Sequence, residues 1–240
     1  MMRHAVRTMT LRFDAGASWR DHAFGWGQLL YAGDGLGHVT TDDARWILPP
    51  AGALWMPPGQ RHVLRCVSAL TLHTLYFPAE SAPLPPEARL LQISPLLREL
   101  LVRVASTSPR ALASPREGRL LAVLVDELEA APPRGLHLPL PPPGPARALA
   151  EAVLANPSVP LAERCAAVGA SRRTLERHML TGTGTTLGAW HRLARLQASL
   201  PLLERNETVE ATARAVGYAS GASFVAAFRA CFGETPGRWR

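Results

Sequence analysis

Arg172, Arg173, Glu176 and Arg177 form the plainest chemical cluster in this 240-residue sequence. On a helix, Arg173 and Arg177 lie one turn apart, and each offers the paired donors that fit a guanine edge. Glu176 could accept from cytosine, and Arg172, at the shoulder, suits a phosphate. A second, sparser set follows at Ser220, Ala222, Ser223 and Arg229. The two hydroxyls could hydrogen-bond a base, Ala222 could meet a thymine methyl, and Arg229 could anchor a phosphate. Catalysis has no comparable candidates. Ser68 and Ser81 lack an acyl-transfer motif, Asp42-Asp43 reads as a turn, and there is no phosphate-binding glycine loop. The sequence therefore predicts a non-enzyme.

Both clusters need helices to present them. Upstream, Leu161, Cys165 and Val168 repeat at helical spacing, Gly169 marks a turn, and Ser171 is placed to cap a helix running to about Leu180 with Leu175 and Met179 inward. Downstream, Val209, Ala213 and Val216 repeat in the same way before Gly217. A second helix then runs from Ser220 to about Phe232, with Phe224, Phe228 and Phe232 on its inner face. Each pair reads as helix, turn, helix, an arrangement that can set its second helix into a DNA major groove. Between them, Leu187 to Leu203 forms a connecting helix with Trp190, Leu193, Leu196 and Leu200 at core spacing and Pro201 distorting its last turn. A further helix spans Ala146 to Ala155.

Charge follows the same division. All 26 basic residues are arginine, against 19 acidic ones. From Pro145 onward there are 12 Arg and 7 Asp or Glu, a net of +5, while the preceding residues carry 14 against 12, a net of +2. The excess lies where an anion-binding surface requires it.

With both helix pairs in view, Ala146 to Arg240 resembles the DNA-binding domain of the AraC/XylS family of bacterial transcriptional regulators, most specifically from Val209 through the terminal GETPGRWR. The resemblance implies two recognition helices on successive major-groove segments of double-stranded promoter DNA. The second helix departs from the family pattern. Gly221, Ala222, Val225 and Ala226 stand where related regulators carry more polar residues, which points that helix toward phosphate anchoring, thymine-methyl contacts and DNA shape.

Between about Thr8 and Pro78, short strand-like segments alternate with Gly, Pro and Asp. The spacing PPGQRH at Pro57 to His62 resembles the second segment of cupin barrels, and His22 to Phe77 resembles the effector domain of AraC-type regulators. The expected fold is α+β, an amino-terminal antiparallel β-barrel of cupin type over residues 8–85 followed by an all-α domain at 146–240. Helices at Leu90 to Ala105 and Arg116 to Ala130, within residues 90–131, carry broad apolar faces that could both pack within the chain or, where one stays exposed, form the expected homodimer seam. Residues 132–145 read as a proline-rich spacer.

The cupin likeness suggests a divalent ion, zinc or nickel, held by His22, His62 and His73 with Gln28 nearby. Neutral effector-binding roles for the same residues are simpler, and Trp26 and Trp55 add aromatic surface suited to a small apolar effector. Cys66, Cys165 and Cys231 form no metal-ligand pair and read as thiols in a reducing cytoplasm. No apolar run approaches membrane-spanning length. The reading is a cytoplasmic regulator responding to a small-molecule effector. The alternatives are a metal- or small-molecule sensor with a degenerate DNA-binding half, and a cupin-like enzyme fused to a binding domain.

Overall fold

Successive side chains of a strand point to opposite faces, and in the amino-terminal unit the strands Trp26–Asp34 and Ala53–Met56 are buried on both. The computed structural model describes residues 6–21, 25–108, 114–134 and 137–239. Its strands are β1 (Arg7–Phe13), β2 (Ser18–Asp21), β3 (Trp26–Asp34), β4 (Gly37–Thr40), β5 (Ala44–Leu48), β6 (Ala53–Met56), β7 (His62–Cys66), β8 (Leu70–Pro78), β9 (Arg89–Leu91), β10 (Pro133–Arg134) and β11 (His137–Pro139). They form one sheet in the order β1-β8-β3-β6-β9-β10 and another in the order β11-β5-β4-β7-β2.

This corrects the expected cupin-like barrel, because both sheets are open. The first runs out at the two-residue β10 and the second at the four-residue β2, and neither ladder returns to its own start. Closure requires a continuous, staggered ladder. Here helices cover one face of the six-stranded sheet instead, burying it as a layer. The PPGQRH likeness corresponds only to a tight turn into β7, with Gly59 at φ 83° and the Gln60 N–H donating to the Pro57 carbonyl at 3.2 Å.

The helical layer is α1 (Pro95–Ala105) and α2 (Pro115–Ala130). Ser94 and Ser114 cap them, accepting from Leu97 N–H at 3.1 Å and Glu117 N–H at 3.3 Å, each with proline at the first helical position. The helix expected to begin at Leu90 starts at Pro95, because Leu90 and Leu91 pair with Leu54 and Ala53 on β6. Leu97, Leu101, Val104, Leu124 and Leu128 pack on Leu29, Tyr31, Trp55, Leu75 and Phe77 of the first sheet. Arg103 reaches from α1 to the buried Glu117 of α2 at 2.6 Å.

The remaining helices are α3 (Pro145–Ala155), α4 (Leu161–Ala167), α5 (Arg172–Thr183), α6 (Leu187–Glu204), α7 (Val209–Ala215), α8 (Gly221–Phe232) and α9 (Pro236–Trp239). Leu149, Val153, Cys165, Leu175, Met179 and Trp190 make their first core. Leu138 and Leu140, within the stretch read as a spacer, belong to the same core. Phe224, Phe228 and Phe232 make a second core with Tyr218 and Trp239, their rings 4.4 to 5.9 Å apart.

The chain divides into two compact units. One comprises the residues through Asp42 together with Trp46–His137; the other comprises Asp43–Arg45 and Leu138–Arg240. Among the described residues, no helix is long and apolar enough to cross a membrane.

Candidate nucleic-acid interface

Helix α5 is set by a short apolar stripe and a serine cap. Gly169, at φ 71°, turns the chain after α4, and Ser171 Oγ accepts from Thr174 N–H at 3.2 Å. Leu175 and Met179 face the core, leaving Arg172, Arg173, Glu176, Arg177 and His178 exposed. The four charged residues come together on the surface as expected but are not equivalent. Arg172 Nε donates to Glu176 Oε1 at 2.9 Å, and that bond, first among the causes, raises the pKa of the guanidinium. Glu176 therefore has an acceptor already engaged. Among the described residues, Arg173 and Arg177 have no ion-pair partner, so both guanidinium forks are open.

Helix α8 repeats the construction with smaller residues. Gly217, at φ 80°, makes the turn, and Ser220 Oγ accepts from Ser223 N–H at 3.2 Å. Ser223 Oγ donates to the Ser220 carbonyl at 2.8 Å, so both hydroxyls expected at bases are engaged in the cap. Ala222, Ser223, Ala226 and Arg229 are exposed around the buried phenylalanine stripe. Among the described residues, this face offers methyl groups and the Arg229 guanidinium without an ion-pair partner.

Between the two helices stands α6, which contributes residues that the sequence reading missed. Arg195 Nε donates to the Val216 carbonyl at 2.5 Å, and its guanidinium lies 3.9 Å from the Tyr218 ring centroid. One side chain of α6 thus holds the turn that precedes α8. A visible signal was an arginine between the core residues Ala194 and Leu196. One turn earlier, burial and then the charge of Arg195 lower the pKa of His191, whose Nε2 has no partner among the described residues. At the start of α6, Trp190 Nε1 donates to the Pro139 carbonyl at 2.6 Å.

The expected effector residues divide between the two faces of the six-stranded sheet. Trp55 and His73 share the parity of the helix-covered face. Trp55 is fully buried there, its Nε1 donating to the Pro85 carbonyl at 3.0 Å, and His73 stacks on Tyr31 at 5.9 Å. Burial lowers the His73 pKa, partly opposed by Asp34. Gln28 points to the opposite face, 1% exposed, with Nε2 donating to Thr74 Oγ1 at 2.9 Å and Tyr76 Oη at 3.1 Å and with Oε1 lacking a partner among the described residues. Trp26, of the same parity, carries the Arg7 guanidinium 4.6 Å from its ring. His62 is buried on β7 of the other sheet, with Nδ1 3.0 Å from the Gln60 carbonyl. The third expected histidine, His22, lies outside the described residues. Among the described residues, no three His, Cys, Asp or Glu side chains are grouped to hold a metal ion.

Comparison with known proteins covers both units. A model described as a helix-turn-helix domain matches residues 164–240, and one described as an AraC-like ligand binding domain matches residues 9–116. The HTH-type transcriptional regulator NimR of Escherichia coli is 32% identical over 215 residues, covering 89% of this chain and 79% of that protein. The HTH-type transcriptional regulator RipA of Corynebacterium glutamicum is 36% identical over 100 residues, covering 41% of this chain and 30% of its own length. Among solved structures, ToxT from Vibrio cholerae aligns at 12% identity with a TM-score of 0.40, over 98% of this chain and 97% of that one.

Proposed function

From the AraC/XylS family of transcriptional regulators, to which this chain belongs, we infer a division of labour in which α5 reads bases and α8 mainly anchors. The protein is a DNA-binding transcriptional regulator with an effector-sensing domain, not an enzyme. One observation carries the division: the open forks of Arg173 and Arg177 on α5, against the capped serines and bare alanines of α8. Arg173 and Arg177 take guanine edges. Arg172, bridged to Glu176, and Arg229 on α8 take phosphates, while Ala222 meets a thymine methyl. Selection of bound duplexes from a random library, followed by affinities for single-base variants, tests this. Sequence preference that tracks α8 and not α5 would reverse it.

The effector seat we infer is the face of the six-stranded sheet opposite α1 and α2. A buried amide oxygen without a partner is costly, and at Gln28 it supports a ligand that donates a hydrogen bond beside Thr74 and Tyr76. Trp55 and His73 fall outside this seat. Pairing of two chains through the helical layer is supported by Leu96, Val102 and Val123, which remain more than a third exposed. A promoter-binding role places the protein in the cytoplasm.

A further inference from the structure

The first residue of α8 is a glycine, and the space that a side chain there would take is filled from α7. A Cβ at Gly221 would stand 3.0 Å from Glu210 Oε1, 3.5 Å from Glu210 Cδ and 3.7 Å from Glu210 Cγ. The Glu210 carboxylate therefore lies along the opening turn of α8. The residue is exposed, and among the described residues it has no ion-pair partner. A helix of 12 residues holds a carboxylate favourably at its positive amino-terminal end. Little on α8 itself competes for that place. Ala222 and, one turn on, Ala226 are exposed and carry only methyl groups, while the Ser220 and Ser223 hydroxyls are engaged with each other and with the backbone of the cap. Glu210 thus brings a charged acceptor to an end of α8 whose own side chains are methyl groups and engaged hydroxyls.

We propose that Glu210, on the helix before α8, is a specificity-determining residue of the second helix pair, accepting from the amino group of one cytosine in the major groove. The proposal rests on reading α8 as a helix laid against DNA, and it adds one read base pair to a helix that otherwise anchors. The choice of base follows from the groove edges. Guanine presents two acceptors there and thymine one, and both repel a carboxylate. Adenine sets an acceptor beside its amino group, whereas cytosine presents the amino donor alone. A carboxylate brought among phosphates without such a donor weakens binding, so Glu210 disfavours the other three bases as well as favouring cytosine. Gly221 permits the arrangement, because a side chain at 221 would displace the carboxylate from the opening turn.

The test uses the full chain, a duplex that the unaltered chain selects from a random library, and single-base variants of that duplex, all at one salt concentration. Glu210→Ala is expected to lower affinity for the selected duplex about fivefold with an unchanged melting temperature, and to flatten preference at one C·G pair. Its binding to duplexes already altered at that pair should stay level or rise. Glu210→Gln should move the preference at the same pair toward adenine, whose edge matches an amide. Pyrimidin-2-one, a cytosine analogue without the amino group, should cost the unaltered chain the same factor at that position and cost Glu210→Ala nothing. Gly221→Ala keeps the carboxylate but displaces it, and alanine suits a helix, so this variant should flatten the same pair and carries the test if Glu210→Ala does not fold. An equal change on every duplex, upward or downward, or no change on any, would overturn the proposal. If Arg229→Ala also binds every duplex as the unaltered chain does, α8 does not lie on DNA and that reading fails. Loss of affinity in Arg229→Ala beside unchanged preference in Glu210→Ala would instead sink Glu210 alone.

Discussion

Arg173 and Arg177 differ from Arg172 in one respect that supports separate roles for them: among the described residues, neither is held by a carboxylate. Replacing either with alanine should weaken the best duplex by about 1 to 3 kcal/mol and relax preference at one base pair. Arg172→Ala should weaken all duplexes evenly and also release Glu176, which binding isotherms at one fixed salt concentration would reveal. Equal loss on every duplex for all three variants would remove the distinction. His191 gives a second prediction. Its folded pKa is held below the ordinary value of about 6.5 by burial and by Arg195, so protonation favours the unfolded chain. Stability should be level above that value and fall as pH drops below it. In His191→Gln the loss of melting temperature between neutral and mildly acid buffer should shrink. It should not vanish, because His73 is shifted in the same direction.

The helices of the DNA-binding unit were legible because their caps and apolar spacings are local. Ser171 sits as an N-cap where the sequence placed it, Ser220 caps the helix it was read as opening, and the phenylalanine stripe is buried. Phe228, touching Phe224, Phe232 and Trp239, is the centre of that stripe. Phe228→Ala should cost roughly 3 to 5 kcal/mol in the second helix pair, seen as a lower or split thermal transition of the full chain. Unchanged melting with altered base preference would mean the helix faces the other way. Sheet closure was not legible, because alternation fixes which side a residue takes and says nothing about how many strands the ladder joins. Gln28 and Trp55 show the same limit. Both lie in segments read as strand-like, yet pairing between β3 and β6 at Leu29 and Trp55 puts Trp55 on the helix-covered face and Gln28 on the other. The Arg195 contact to Val216 was equally hidden, since it joins residues 21 apart through a turn whose path the sequence does not specify.

At the scale of the whole molecule, the exposed apolar residues on α1 and α2 give the remaining prediction. Val123→Asp, at a site 42% exposed, should leave the monomer folded and shift the mass measured by light scattering from two chains toward one. A mass equal to one chain before substitution would exclude this seam. Proline content drew the spacer reading of residues 132–145, but composition does not reveal that Leu138 and Leu140 find a core. The unit that carries them also holds Asp43–Arg45, and the Leu140 N–H donates to the Asp43 carbonyl at 2.6 Å. This interleaving bears on inheritance. A recombination joint at Pro145 would deliver a DNA-binding half without Leu138, Leu140, the carbonyl that Trp190 requires, or the strand residues beside them. Functional hybrids with other sensing domains should arise only from joints placed before His137, in recipients that supply an equivalent of Asp43–Arg45.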